Sequence, residues 1–194
     1  VKVEFLSWRD AGWQATAAMI EAHFNATHGA SITLPPVELA AARSASGGIL
    51  GAAGLRDARQ GFFSQVYLDR PVAELLSGHA DSAVNDGDIL EVVSMACPRP
   101  IATLPLMQAI TVEGCRRGKS WGLFTATAML MRLLRRTGVP LVVLGPARAE
   151  RLPTAAAWGR YYQADPWVCA LQVQTEPLQF MPRPGTVLTG THPK

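Results

Sequence analysis

Apolar and polar residues alternate through KVEFLSW (2–8), a period of two that predicts a first strand. The period then changes: Trp13, Ala17, Ile20 and Phe24 recur at helical spacing and predict a helix over 11–25, with Asp10 placed to cap it. Residues 25–36 are rich in turn formers and read as a loop with a broken helical turn. Residues 36–58 read as two strands around the Ser-Gly-Gly turn at 46–48. The second, ILGAAGL, is built of small residues that let a neighbouring backbone or a ligand come close. FFSQVYL (62–68) is aromatic-rich and fits neither period. Pro71 opens a short helix with Val72, Leu75 and Leu76 facing inward.

The second half is more regular. DGDILEVVSMAC (86–97) predicts a strand after an Asp-Gly turn, and 100–118 a helix with Pro105 in its first turn and Gly118 at its end. A strand over 120–127, a helix over 128–138 closed by Gly138, a strand over 140–147, a short helix over 153–164 and a strand over 167–175 follow. Prolines and glycines then accumulate without pattern, so 1–175 reads as a single domain and 176–194 as a C-terminal arm. This order predicts an α/β fold: a mixed sheet of about seven strands, antiparallel first and parallel later, with helices on both faces.

Composition narrows the picture modestly. The 194 residues are 48% hydrophobic and 17% charged, which suits a globular core. The apolar runs are too short to cross a bilayer, and the N-terminus shows no secretory pattern. Cys97, Cys115 and Cys169 have no metal-ligand spacing, and their odd number fits reduced thiols in the cytoplasm, with Cys169 buried in its strand. The net charge of +3 is carried mostly by arginine, the lysines being Lys2, Lys119 and Lys194. Arginine suits phosphate and carboxylate, although base composition alone also produces Arg- and Ala-rich chains. No basic-aromatic stripe or nucleic-acid motif is present, and no nucleic-acid partner is expected.

Five segments carry a resemblance: AHFNATHGA (22–30), GAAGLRDARQGFFSQVYLDRPVAELL (51–76), ILEVVSMA (89–96), SWGLFTAT (120–127) and WGRYYQADPWVCALQV (158–173). Together they resemble the thermostable hemolysin family, which is similar to the Gcn5-related N-acetyltransferase superfamily and to acyl-homoserine-lactone synthases. The resemblance implies a V-shaped opening between the strands at 88–95 and 120–127, where an acyl thioester on a phosphopantetheine arm lies. It implies an acyl-CoA or acyl-carrier-protein thioester as co-substrate, no metal, and a small-molecule amine or amino acid as acceptor. A carrier protein is then a partner to consider, and a homodimer is left open. The superfamily cradles the donor pyrophosphate on glycine-rich backbone. The matching segment here, ACPRPIATLP (96–105), has no glycine, and Pro98, Pro100 and Pro105 lack an N–H. Cys97, Arg99 and Ala102 are the positions left to meet the donor there.

The candidate chemistry follows. Glu91 lies mid-strand; with Leu90 and Val92 on one face, Glu91, Val93 and Met95 take the other. A carboxylate there is either a general base or the ion-pair partner of Arg56. Arg56 either anchors a substrate carboxylate or pairs with Asp57 or Asp69. Tyr161 and Tyr162 point in different directions, so one can pack inward while the other faces the cleft, with Tyr162 slightly favoured for the cleft; the resemblance implies that the cleft tyrosine is the acid that protonates a leaving thiolate. Trp158 reads as core or site wall. Ser94 and Cys97 sit near the expected thioester carbonyl, and as nucleophiles they would need His23 or His28 as base. Thr125 and Thr127 either bind ligand or cap the next helix. Three readings stay open: an acyltransferase, a non-acylating enzyme or binding protein of the same fold, and a membrane-lytic protein.

Overall fold

The computed structural model describes residues 1–173 of the chain, so the expected arm at 176–194 lies outside the described residues. Strand β1 (Lys2–Leu6) leads into helix α1 (Trp13–His28), which buries Thr16, Ala17, Ile20 and Phe24. Asp10 does not cap α1: its carboxylate accepts the Ser7 N–H at 2.7 Å, and Gly12 holds the cap position without a side-chain bond. The helix runs three residues past the expected end. The Asn25 side chain donates to the Ala30 carbonyl, and Gly29, at φ 66°, supplies the left-handed stop.

Strands β2 (Glu38–Arg43) and β3 (Ile49–Arg56) form the expected hairpin, closed by the Ser44 hydroxyl accepting the Gly48 N–H. The small residues of β3 serve its neighbour strand: a Cβ at Gly51 or Gly54 would press on the Cys97 sulfur or on Val93 at 2.7 and 2.8 Å. The aromatic run becomes a 3-10 turn, Phe63–Tyr67, before the short helix α2 (Val72–Ser77). Strand β4 (Ile89–Ala96), helix α3 (Thr103–Arg116, with Pro105 in its first turn), strand β5 (Trp121–Ala126), helix α4 (Ala128–Arg136), strand β6 (Leu141–Pro146) and strand β7 (Trp167–Gln172) complete the order.

The helix expected over 153–164 is instead two 3-10 turns, Ala155–Trp158 and Tyr161–Ala164. Gly159 breaks them at φ 55°, because a side chain there would overlap the His28 carbonyl. Two backbone bonds, Arg160 N–H to His28 O and Ser31 N–H to Ala157 O, strap this segment to the exit of α1.

The seven strands form one sheet in the order β1-β2-β3-β4-β5-β7-β6. Among the described residues only β4 and β5 pair in parallel; β7 inserts antiparallel between β5 and β6. The expected run of parallel pairs is thereby reduced to one, since a strand added last can occupy a gap that the local order β-α-β does not reveal. Residues of β2 alternate across the sheet: Leu39 and Ala41 meet α1, while Ala40 and Ala42 meet the side covered by α3. α1, the 3-10 turn at 63–67 and α2 cover one face, and α3 and α4 cover the other, as expected. No helix among the described residues is long and apolar enough to cross a membrane.

Candidate active site

The parallel pairing of β4 and β5 runs from Ile89↔Trp121 to Val92↔Phe124 and stops. Two steps of β3, from Ala52 to Gly54, face three steps of β4, from Ala96 to Val93, so β4 carries an extra residue. Ser94 takes up that bulge at φ 49°. The bulge also reverses the alternation: Met95 packs with Val92 and Leu90, not on the Glu91 side expected for it. Thr125 and Ala126 remain bonded only to β7. The strands therefore splay, and a cavity of about 960 Å³ opens over the α1 face, bordered by Ser94, Cys97, Thr125, Arg56, Trp158 and Tyr161. A smaller apolar pocket of about 70 Å³ lies on the α3 side of the splay, lined by Leu90, Met107, Ile110 and Phe124. The two share Val92, Ser94, Met95, Thr125 and Leu130 as walls.

Glu91 is fully buried behind the cavity wall and does not border the cavity. Its two oxygens accept the Phe63 N–H at 2.6 Å and the Ser64 N–H at 2.7 Å. Burial raises its pKa, against the opposing pull of the Ser64 and Phe63 hydrogen bonds and the Arg56 charge. Arg56 lies opposite it in register, yet forms no ion pair among the described residues. Asp57 is held by Arg59 and Asp69 by Arg151. The Arg56 guanidinium donates to the Gln60 carbonyl at 2.7 Å, and its Nε is buried without a partner among the described residues.

Ser64, buried, connects this carboxylate to the cavity. Its amide serves Glu91 while its hydroxyl meets the Thr125 hydroxyl at 3.0 Å. Sequence reasoning missed Ser64 because a 3-10 turn has neither of the periods that mark a strand or an α-helix. Thr125 points at Ser64 and the cavity, whereas Thr127 caps α4, accepting from the Leu130 N–H.

Of the two tyrosines, Tyr161 borders the cavity and Tyr162 does not. Tyr161 packs edge-on to His28 and against Phe24 and Trp158, with ring centroids 5.3–6.1 Å apart. Tyr162 turns away to share a hydroxyl contact of 2.8 Å with Tyr67, a second phenol missed in the sequence. Burial raises all three phenols, so each stays protonated near neutrality. His23 and His28 also border the cavity; burial lowers both, leaving neutral imidazoles.

At the expected donor end, Cys97 borders the cavity, and burial raises its thiol. Arg99 points to solvent and Ala102 is buried; neither borders the cavity. Three amides of this turn are already engaged: Arg99 N–H donates to Leu50 O, Ala102 N–H to Arg99 O and Thr103 N–H to Pro100 O.

This architecture, a seven-stranded mixed sheet splayed between a bulged β4 and its parallel neighbour, is the acyl-CoA N-acyltransferase-like fold. Residues 7–176 match the thermostable hemolysin family, and the chain belongs to that family. No curated protein matches the sequence. Among solved structures, it is similar to the AHL synthase LasI (TM-score 0.60, 12% identity, covering 88% of this chain and 89% of that one). It is also similar to FeeM, an N-acyl amino acid synthase from uncultured soil microbes (TM-score 0.59, 13% identity, 89% and 95%). A third is MesI, a CoA-dependent acyl-homoserine lactone synthase (TM-score 0.54, 14% identity, 90% of each chain). At these identities the likeness is one of fold.

Proposed function

We propose that this protein transfers an acyl group from a phosphopantetheine thioester to the amine of an amino-acid-like acceptor. The observation that carries this reading is the end of β4–β5 pairing at Val92 and Phe124, which leaves a slot that shares walls with an apolar pocket. A pantetheine chain has amides that can bond to freed strand edges, and an acyl chain can extend into the apolar side. LasI, FeeM and MesI are each described by an acylated product or activity, which fits the same use of the fold.

In this reading the amine attacks the thioester carbonyl beside Ser94 and Thr125. A C–N bond forms, the C–S bond breaks, and the amine's proton passes through the Thr125 and Ser64 hydroxyls toward Glu91. A relay suits this arrangement: Glu91 is buried and does not border the cavity, and the Ser64 side chain, in contact with Thr125, also hydrogen-bonds the Glu91 carboxylate. A raised carboxylate pKa favours accepting that proton. Tyr161, the phenol of the pair that borders the cavity, supplies the proton to the departing thiolate. Arg56, with an unpartnered buried Nε on the wall, holds the acceptor carboxylate. Neutral His23 and His28 and the ring of Trp158 shape the acceptor side.

A binding protein of the same fold is the second reading. It is favoured by the occupation of both Glu91 oxygens by backbone donors. Incubating the protein with dodecanoyl-CoA or a dodecanoyl carrier protein and a panel of amino acids, followed by mass spectrometry, separates the two. N-acyl amino acid formed above the no-enzyme rate supports transfer. Saturable binding with no product from either donor leaves the binding protein.

A further inference from the structure

We propose that the cavity mouth between the N-terminal turns of α3 and α4 is a docking surface for an acyl carrier protein, a small acidic domain that presents the acyl chain on its phosphopantetheine arm. This rests on the acyl-transfer reading and specifies its donor.

Three independent features meet at this mouth. The first is apolar exposure. Ile101, just before α3, and Met129, in the first turn of α4, are 75% and 73% exposed, the highest values for large apolar side chains among the described residues. Met129 lies on the cavity rim. Two such side chains, uncovered by the other described residues, are anchors for a partner.

The second is charge. Residues 92–112 and 114–149 contain no Asp or Glu, so β4 beyond Glu91, the start of α3 and all of α4 carry no negative side chain. Arg99, Arg132 and Arg136 are exposed there, and Arg132 and Arg136 follow Met129 at helical spacings of three and seven. Asp165 borders the cavity from the turn before β7, so the basic stretch is the α3–α4 side of the rim, and that side steers and orients an acidic partner.

The third is the phosphate. Coenzyme A ends in a pyrophosphate and adenylate, whereas a carrier-bound arm ends in one phosphodiester on a protein. In the turn that would cradle a pyrophosphate, Pro98 and Pro100 have no N–H, and the amides of Arg99, Ala102 and Thr103 are bonded internally. What the backbone does not provide for a nucleotide, the Ile101–Met129–arginine rim provides for a protein. A membrane surface is the competing partner for a basic and apolar rim. The rim here is two side chains at the opening of a cavity rather than an amphipathic face, which favours a domain that inserts an arm.

The test is calorimetric titration of the full chain with a bacterial fatty-acid carrier protein in its dodecanoyl and apo forms, with dodecanoyl-CoA, and with anionic phospholipid vesicles. The dodecanoyl carrier protein is expected to bind at least about tenfold tighter than dodecanoyl-CoA, with apo carrier weaker but detectable and all carrier binding falling with salt. Ile101→Asp, Met129→Asp and Arg132→Glu are each expected to weaken carrier binding about tenfold or more. Ile101→Asp should leave dodecanoyl-CoA affinity and Tm unchanged, because that side chain stands in water outside the cavity. Equal or tighter binding of dodecanoyl-CoA overturns the docking surface while the acyl-transfer reading stands. So does carrier binding insensitive to all three substitutions, or vesicle binding that those substitutions abolish. Failure of both thioesters to bind overturns the acyl-transfer reading as well.

Discussion

At the scale of single residues, the site depends on groups that work through one another. Ser64 and Thr125 share a hydroxyl contact of 3.0 Å, and Ser64 alone joins that contact to Glu91. Thr125→Val keeps the side-chain volume and removes the hydroxyl, so kcat is expected to fall about 100-fold with KM nearly unchanged. Thr125→Ser should restore most of the rate, an outcome that a purely steric role of Thr125 would not give. Away from the cavity, Arg116 and Arg117 pull the Glu113 carboxylate down to about 2, from an ordinary 4.5. A depressed carboxylate stabilises the fold above its unfolded pKa, and the contribution is lost as pH falls through the folded value. Glu113→Gln should therefore lower Tm by about 2–4 °C at pH 7. Thermal scans from pH 7 downward should show the difference shrinking below pH 4.5 and closing near 2. Cys169 is fully buried and its thiol is pushed up to about 12, so it should resist alkylation in the native protein and react only after unfolding.

At the scale of elements, the segment carrying Tyr161 owes its shape to one glycine. Gly159 separates two 3-10 turns in a backbone region open to glycine, with the His28 carbonyl where a Cβ would sit. Gly159→Ala is expected to cost about 2–4 kcal/mol and lower Tm by roughly 5–15 °C. Nuclear magnetic resonance shifts should concentrate at Phe24, His28 and Tyr161, where this segment is strapped to α1. The bulge at Ser94 is the second element-level device. By adding one residue to β4 it ends the parallel pairing and turns Met95 from the Glu91 side to the α3 side.

At the scale of the whole molecule, the described residues share one sheet, with α1 on one face and α3 and α4 on the other. Such a body should melt in one transition, with calorimetric and van't Hoff enthalpies in agreement; two transitions would contradict a single domain. Leu106, fully buried on the inner face of α3, should cost about 2–5 kcal/mol when changed to Ala.

The chain by itself determined the kinds and order of its main elements. The periods at Trp13–Phe24, at 89–96 and at 121–126 persist in the structure because burying an apolar face constrains a helix and a strand differently. It also determined the absence of glycine at 96–105 and of acid over 92–112 and 114–149, which are facts of composition. Three-dimensional packing alone decided that β7 lies between β5 and β6, that Tyr161 rather than Tyr162 borders the cavity, and that Glu91 reaches Thr125 through Ser64. Each of these joins residues tens of positions apart, or turns on which of two adjacent side chains a 3-10 turn directs inward. Local periodicity carries no information about such pairings; the mutual burial of distant segments sets them.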